Sequence, residues 1–553
     1  IYFILKMAKS MNLNAAAGLG GMLKDGHKVF EGVHGAVLRN IEAAKALALM
    51  VQTSMGPNGM NKLVINHLEK IFVTSDSATI MRELEVAHPA AKILVMAGES
   101  QESEFGDNTN FVLSFAGELL KQAEELLING LHTAEIVLGY ERAHKKLLEI
   151  LPELVVRTVA DVRERQDLVM ALKPIIGTKQ YGYETLLSNL VAEAALATMP
   201  PDRSRKASLN MDHVRIAKLR GGDVSNSTVV KGMIMVRDSE GIVKRATNAK
   251  VIVFGCGIEA GSMEAKGTVL LKNAEDLMNY NKSEEKKMEE QIASIAASGA
   301  TVVVANGSVS EMALHFLDKF NLMVLKTPSK FELRRICGAL GATAVVRLGA
   351  CSPEEMGFCS LIEVKEIGSR KVTVFSQELD EDTSVTTIAV RASTEHVMND
   401  VERAIDDGVN AVRTFCTDGR LLPGAGAVEL ELSRRLKAFA DEVLGIDQYA
   451  IRKFAEALLV IPRTLVENSG VDITSMMHTL NASHSGSGEK CGPTMGYDIE
   501  ENCPVDAAAA DILDGYACKV NAIRHAVDAA VTVLRVDQIV MSKPAGGPKP
   551  PKQ

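Results

Sequence analysis

The sequence predicts a multidomain protein of mixed α and α/β class, with helical ends around a more β-rich middle. Three observations lead there. The chain has 553 residues, too many for one compact core, so two to four domains are expected. Apolar residues recur at helical spacing over 34–51, 90–128 and 133–151, and again over 395–415, 427–440, 448–466 and about 507–534. Short strand-like runs at 228–236, 251–254, 301–305, 371–375 and 385–390 fill the middle. No internal repeat is visible, and the pattern reads as one domain inserted into another.

Taken in order, 18–26 is glycine-rich and reads as an irregular arm. The helix over 34–51 carries Val37, Ile41, Ala44, Ala48 and Val51 on one stripe. After the turn Gly56-Pro57-Asn58-Gly59, the β-type runs 62–65 and 71–74 are joined by a loop of hairpin length. An isolated hairpin is marginally stable, so this one needs a further sheet, such as a neighbouring chain's edge strand. The stretch Glu104-Phe105-Gly106-Asp107-Asn108-Thr109-Asn110-Phe111 is a turn between two apolar runs. Its residue types suit oxyanion binding, because free N–H groups and the helix dipole attract negative charge, and Asp107 could hold a metal against it. The same residues also suit a plain N-capped turn, with Asp107 or Thr109 as the cap.

Residues 166–172 are helical, and around Arg220-Gly221-Gly222-Asp223 the character changes to β. The run 301–305 reads as a buried strand feeding a helix over 309–320, capped by Ser308, with Val309, Met312, Phe316 and Phe320 on one face. Opposite charges spaced three and four apart over 282–290 suit an exposed helix. The proline-rich end, 544–551, cannot pack and is expected to be disordered.

Composition narrows the function classes. With 46% hydrophobic and 24% charged residues the chain is ordinary globular protein. Aromatics are only 4% and Trp is absent, so aliphatic helix packing dominates the expected core. A net charge of −9 argues against an electrostatic nucleic-acid binder. The eight cysteines include no CxxC pair and fit buried thiols in a reducing compartment. The histidines form no HExxH pair, so zinc has no support. No run reaches the ~18 apolar residues of a membrane span, and Ile1 to Met7 is too short for a signal sequence. A cytoplasmic protein without nucleic-acid or membrane partners is expected.

A second segment changes what the turn at 104–111 means. Thr53-Ser54-Met55-Gly56-Pro57-Asn58-Gly59-Met60-Asn61-Lys62 resembles the TSLGPKGMDK segment of the group II chaperonins. Ser75 to Ile80 then resembles their NDGATI, Gly106 to Asn110 their GDGTT phosphate loop, Leu422 to Glu429 their PGGGAVE, and Val533 to Ile539 their ILRIDDI. The motifs stand in the family's order and the resemblance covers nearly the whole chain. It implies a chaperonin-like fold with a helical equatorial domain (1–158 and 417–553), a small intermediate domain (159–221 and 381–416) and an α/β apical domain (222–380). A helical protrusion over 265–281 would belong to the last. It further implies an ATP-dependent subunit that binds non-native proteins and helps fold them in a closed cavity. Its partners would be paralogous subunits in a double-ring hetero-oligomer, and its clients actin and tubulin. In that family the hairpin pairs with the terminal strands of the adjacent subunit.

No GxxxxGK[ST] loop is present, so the phosphate site must be built differently. The resemblance places Ser54, Met55, Gly56 and Pro57 along the phosphates of ATP or ADP. Asp107 would ligate Mg2+, a hard cation that favours carboxylate oxygen. Asn108, Thr109, Asn110 and Phe111 would offer backbone N–H groups, and Thr109 its hydroxyl. Thr178 and Lys179 would stand beside the γ-phosphate, Lys179 sensing its presence. Asp407 would be the catalytic base for water, with Asp76 beside the same water; by spacing alone, Asp406-Asp407 also reads as an exposed acidic pair. The nucleoside would rest on Gly424, Ala425, Gly426 and Gly496, with Asp514 on the ribose. Gly221-Gly222 and Asp418-Gly419 would serve as hinges.

The sequence departs from the family's motifs at Asn58, Ser77, Asn108, Asn110 and Ala425. Asn tolerates the left-handed backbone, but its side chain adds bulk where phosphate approaches. Weaker binding or slower turnover is therefore expected, with Asn108→Gly raising affinity. The rival is a structural ring subunit that binds ATP but barely hydrolyses it. A free-standing metabolic kinase or ligase would need an acid–base cluster in the middle third, where none is seen.

Overall fold

A computed structural model describes residues 28–31, 36–200, 207–259, 274–368, 370–377, 385–486 and 491–541. The glycine-rich arm, the opening residues 1–7, residues 265–273 of the expected protrusion and the proline-rich end lie outside them.

The helix Thr109–Ile128 is apolar on most sides and buried along nearly its whole length, from Phe111 to Leu127. A helix of that kind belongs at the centre of a bundle. Leu38–Gln52, Pro89–Phe105, Asp447–Leu458 and Tyr516–Leu534 pack around it. Gly117 lets the first of these approach closely, since a Cβ there would lie 2.2 Å from the Ala48 Cβ. Beyond Asp447–Leu458 stands Thr133–Ile150, whose Tyr140 is fully buried. The Tyr140 hydroxyl donates to the Leu119 carbonyl at 2.8 Å, and its ring meets Phe454 edge-on. One apolar cluster thus unites residues from Val37 to Leu154 with residues from Leu422 to Leu534.

The chain leaves and re-enters this helical body side by side. Arg157–Thr158 pairs antiparallel with Arg420–Pro423, which pairs in turn with Leu513–Gly515. Outside that small sheet, Arg165–Gly177, Glu184–Thr198 and Glu395–Thr417 share a second core with Ile388 and Val390 of the strand Thr386–Ala392. Glu395–Thr417 is strongly amphipathic and is capped by Thr394, whose hydroxyl accepts from the Val397 N–H.

The middle of the chain forms a nine-stranded sheet. Its order is Val214–Arg220, Thr386–Ala392, Thr228–Met235, Arg370–Ser376, Gly357–Ile367, Arg245–Phe254, Val302–Ala305 and Met323–Lys326, with Ala344–Val345 beside Arg245–Phe254. The last three strands of that order run parallel and are linked by helices, Ala274–Ala297 and Glu311–Lys319. Parallel strands need such crossovers, and Val302–Ala305 is buried on both faces as they require.

Several elements differ from the sequence expectation. The helix expected over 309–320 is Glu311–Lys319 and is capped by Ser310, not Ser308. Ile258 donates to the Ser308 carbonyl and accepts from the Ser310 N–H, which holds 308–310 extended. The final helix starts at Tyr516 rather than near 507, because Cys503–Asp506 pairs with Met495–Asp498 and Leu513–Gly515 with Arg420–Pro423. The helix expected over 448–466 is two, Asp447–Leu458 and Val460–Asn468. Helices Lys330–Leu340 and Ile473–Ser485 have no counterpart in the sequence reading.

The hairpin Lys62–Ile65 with Ile71–Thr74 forms as expected and leaves Leu63, Ile65 and Ile71 exposed. Lys28–Glu31 pairs with Gln538–Met541, joining the two ends of the chain in a second two-stranded sheet.

Gly117→Ala should lower the thermal midpoint. The methyl would add about 1 kcal/mol of helix propensity, but overpacking against Ala48 costs about 1–3 kcal/mol. Scanning calorimetry of the two proteins decides; a rise would show that the helices can part freely.

Candidate functional site

A cavity of about 1070 Å3 opens where the helical body meets the second core. All of the predicted site residues except Gly424 and Gly496 line it. Those two lie directly behind Ala425: a Cβ on Gly496 would come within 2.7 Å of the Ala425 methyl and 3.2 Å of the Gly424 carbonyl.

Two loops form the floor. The first follows Leu38–Gln52, where Gly56 takes φ 80° beneath Leu465. Asn468 clamps this turn by donating to the carbonyls of Met55 at 2.9 Å and Gln52 at 3.2 Å. The second joins Pro89–Phe105 to Thr109–Ile128 and uses left-handed backbone at Gly106 (φ 73°) and Asn108 (φ 65°). Asn108 keeps the turn a glycine would make, and its side chain does not cap the helix. Asn110 ties the loops together: its amide donates to the Val51 carbonyl at 3.0 Å and to Ser54 Oγ at 3.2 Å, while Ser114 donates to its oxygen. Thr109 is buried with its hydroxyl committed to Glu102 at 3.0 Å.

The wall comes from Glu395–Thr417. Asn410 packs against Gly106 so tightly that a Cβ at Gly106 would lie 2.2 Å from its amide nitrogen. One turn earlier, Asp407 is buried and faces the cavity while Asp406 is exposed. Lys179, just past the helix Arg165–Gly177, contacts Asp407 Oδ2 directly and Asp76 Oδ1 at 3.1 Å. Asp76 also caps Ser77–Glu83, accepting from the Thr79 N–H at 3.1 Å and the Thr79 hydroxyl at 2.6 Å.

One ammonium therefore serves a crowd of carboxylates. Burial opposes the Asp76 carboxylate, yet Lys179 and Thr79 outweigh it and hold its pKa at about 2. Burial likewise opposes the charge on Lys179, but Asp407 and Asp76 raise it well above the ordinary lysine range. Asp407 goes the other way. Its burial and the nearby Asp107, Asp76 and Glu102 push it well above the usual carboxylate range, against the pull of Lys179. Burial also raises Asp107.

The excess of carboxylate suits a divalent cation. Among the described residues no group of three or more His, Cys, Asp or Glu could hold one alone. Asp107 stands at the start of Thr109–Ile128, where its carboxylate could give one oxygen to a hard cation.

At the far end, Lys519 is buried between Glu429 Oε1 at 2.8 Å and Asp514 Oδ2 at 2.9 Å, with its ammonium over the Phe111 ring. Ala425 stands in left-handed backbone, φ 55°, and its carbonyl accepts from the Tyr497 N–H at 3.0 Å. The sequence reading missed Glu102, Glu429 and Lys519. Glu429 closes the Leu422 to Glu429 segment and was within reach. Lys519 lies five residues past Asp514, a spacing with no meaning until Leu513–Gly515 turns the chain into the helix.

The sequence model of the TCP-1/cpn60 chaperonin family matches residues 47–544. The chain is 48% identical to T-complex protein 1 subunit theta of Dictyostelium discoideum over 535 residues, 97% of this chain and 98% of that protein. It is 48% identical to the human protein of that name over 544 residues, 98% of each. With the protein of that name from Arabidopsis thaliana, identity is 46% over 534 residues, 96% of each.

Lys179→Met should cost about 3 kcal/mol at pH 7, as expected for removing one partner of a buried pair. The wild-type Asp76 carboxylate, depressed to about 2 from an unfolded value of ~3.9, keeps its stabilising contribution at every pH above about 4. In the variant Asp76 keeps Thr79 but loses Lys179, and Asp407 loses the one charge that pulled it down, so both pKa values rise and stability is lost as pH climbs toward that of Asp407. Urea unfolding between pH 4.5 and 7.5 should show the gap widening with pH; a constant gap contradicts the assignment.

Proposed function

Because the chain belongs to the TCP-1/cpn60 chaperonin family, we propose that its cavity binds and hydrolyses ATP with Mg2+ to drive domain movement. The chain is a chaperonin subunit with a part in ATP-dependent protein folding, and a member of a hetero-oligomer of paralogous subunits. One observation carries the reading of the site. The loop of Asp107 and the helix of Asp407, distant in sequence, line one cavity, and Asp407 is bridged to Asp76 through Lys179.

Each residue then has a role. Ser54, Met55, Gly56 and Pro57, with the first-turn N–H groups from Asn108 to Phe111, receive the phosphates. Bound at Asp107, Mg2+ would neutralise phosphate charge and orient the transferring group. Asp407 orients water and accepts its proton, and its raised pKa suits a base. Asp76 holds the far side of that water. Thr178 positions Lys179, its hydroxyl locking the turn by donating to the Ile175 carbonyl at 2.7 Å. A γ-phosphate competes with Asp407 for Lys179, freeing the carboxylate for water. Gly424, Ala425 and Gly496 form the nucleoside rest, and Asp514, held by Lys519, meets the ribose.

We further assign 1–158 with 417–553 to an equatorial domain, 159–221 with 381–416 to an intermediate one, and 222–380 to an apical one. Separate apolar clusters support that division. The proposed site of action is a double ring in the cytosol, with actin and tubulin among the clients. The cysteines are all free, as a reducing compartment requires, and no described helix is long and apolar enough to cross a membrane. A second reading, binding with little turnover, is favoured by Ala425, whose left-handed backbone replaces a flexible glycine at the nucleoside rest.

Asp407→Ala, placed in this subunit alone within assembled particles, separates the readings. The first expects nucleotide binding within about threefold and this subunit's turnover down on the order of 10²-fold. Turnover that does not change leaves only binding here.

A further inference from the structure

A second cavity, of about 400 Å3, opens between the edge strand Val214–Arg220 and the helix Lys330–Leu340, and shares no lining residue with the first. Its size lies within the ~300–1,000 Å3 typical of ligand clefts. The strand supplies Arg215, Lys218 and Arg220, the helix supplies Arg335, and Arg370 begins the strand Arg370–Ser376. Against these cations the lining holds two carboxylates, Glu332 and Glu395. The cleft is therefore locally positive in a chain whose net charge is −9.

Few of these charges are neutralised where they stand. Lys218 is held by Glu402 at 2.8 Å and by Asn399 at 3.0 Å. Arg215 gives one N–H to Asp212 at 3.1 Å, an exposed carboxylate, while its Nε is buried and donates to no acceptor. Among the described residues, Arg220, Arg335 and Arg370 form no ion pair with any carboxylate, Glu332 and Glu395 included. Burial and the nearby Arg335 both work against the charge on Arg215. Folding has gathered like charges and left a buried N–H unanswered, an arrangement that an anion would relieve. Guanidinium groups present planar pairs of donors that match phosphate oxygens, and several around one cleft favour an anion with more than one charged group. The cleft is too confined to be the basic stripe that a nucleic acid requires.

We propose that this cleft binds a small anion bearing several phosphate groups, gripped by Arg215 and Arg220 from one side and by Arg335 and Arg370 from the other. The site is independent of the nucleotide reading of the first cavity. Val214 of the strand belongs to the second core, whereas Leu333, Ile336 and Leu340 of the helix pack on the nine-stranded sheet. An anion shared between them fixes the inclination of one body to the other.

Calorimetric titration of the full-length chain with inorganic tripolyphosphate tests this. Arg335→Ala combined with Arg370→Ala should remove one binding event or weaken it at least about tenfold, as the loss of two charge-assisted contacts implies. Arg215→Lys keeps the charge but loses Nε and the planar fork, and should weaken the same event about threefold or more. It serves if circular dichroism shows the double variant unfolded. Lys286→Ala combined with Lys287→Ala removes two exposed lysines outside the cleft and should stay within about twofold. Orthophosphate should bind at least about tenfold more weakly than tripolyphosphate, having fewer groups to share among the arginines. Tripolyphosphate binding that ignores the arginine substitutions, falls equally with the two lysines, or is matched by orthophosphate overturns the site. Binding that emerges only when Asp380→Asn, Glu381→Gln and Asp382→Asn are introduced together would give the cleft to this chain's own acidic residues, and overturns it too.

Discussion

Lys179 holds two separately built parts of the molecule together. Its ammonium reaches Asp407 on the long helix Glu395–Thr417 and Asp76 at the start of Ser77–Glu83. Asp407 stands on the core that carries Lys179's own helix, whereas Asp76 belongs to the helical body, so the Lys179–Asp76 pair is the one that crosses between the two. A pair buried this deeply is not a source of net stability, because desolvation opposes the attraction. What it supplies is a defined geometry that collapses if any of the three charges is neutralised or finds another partner. On the nucleotide reading a γ-phosphate, dianionic at neutral pH, would be such a partner, and competition for one cation would turn its arrival into relative motion.

The rest of the site depends on keeping its two floor loops in register. The helix Thr109–Ile128 achieves this from the inside. Its buried surface fixes Leu38–Gln52 through the Gly117 and Ala48 contact, and its first turn fixes the loop after that helix through Asn110. Here a departure from the family's motif has a visible use. A threonine could not reach both the Val51 carbonyl and Ser54 Oγ with two N–H donors from one amide. Packing thus sets the spacing of the helices, and a single polar side chain sets the spacing of the loops they carry.

Much of this was legible in the sequence, and the part that was not has physical causes. Long periodic helices such as Thr133–Ile150 and Glu395–Thr417 announce themselves, because burial of one face dictates 3.6-residue spacing. The boundaries failed where a distant strand took over the backbone: Ile258 beside 308–310, and Arg420–Pro423 beside Leu513–Gly515. Lys330–Leu340 escaped because its buried stripe, Leu333, Ile336, Ala339 and Leu340, covers only about two turns, too short a period to stand out from the loops on either side. The motif residues were found by resemblance; spacing alone cannot distinguish Asp407 from Asp406. Which of the pair turns inward is fixed by the helix phase, set by Val401, Ile405, Val409 and Val412 on the buried face. Glu102 and Lys519 had no such label, because their importance lies wholly in partners remote along the chain.

The end of the cavity around Ala425 shows how such a site tolerates substitution. Ala425 occupies left-handed backbone that costs an L-residue roughly 1–2 kcal/mol. Its methyl is accommodated because position 496 is glycine; any larger residue there would collide with it at 2.7 Å. The hairpin that carries Gly496 is in turn fastened by the Tyr497 N–H on the Ala425 carbonyl and by the Tyr497 hydroxyl on Asn502 at 2.6 Å. The strain at one residue is thus borne by an absence of side chain at another, seventy-one positions away (496 − 425), and held there by ordinary backbone hydrogen bonding. Sites assembled from remote segments can change one lining residue at a time only when the facing segment leaves this kind of room.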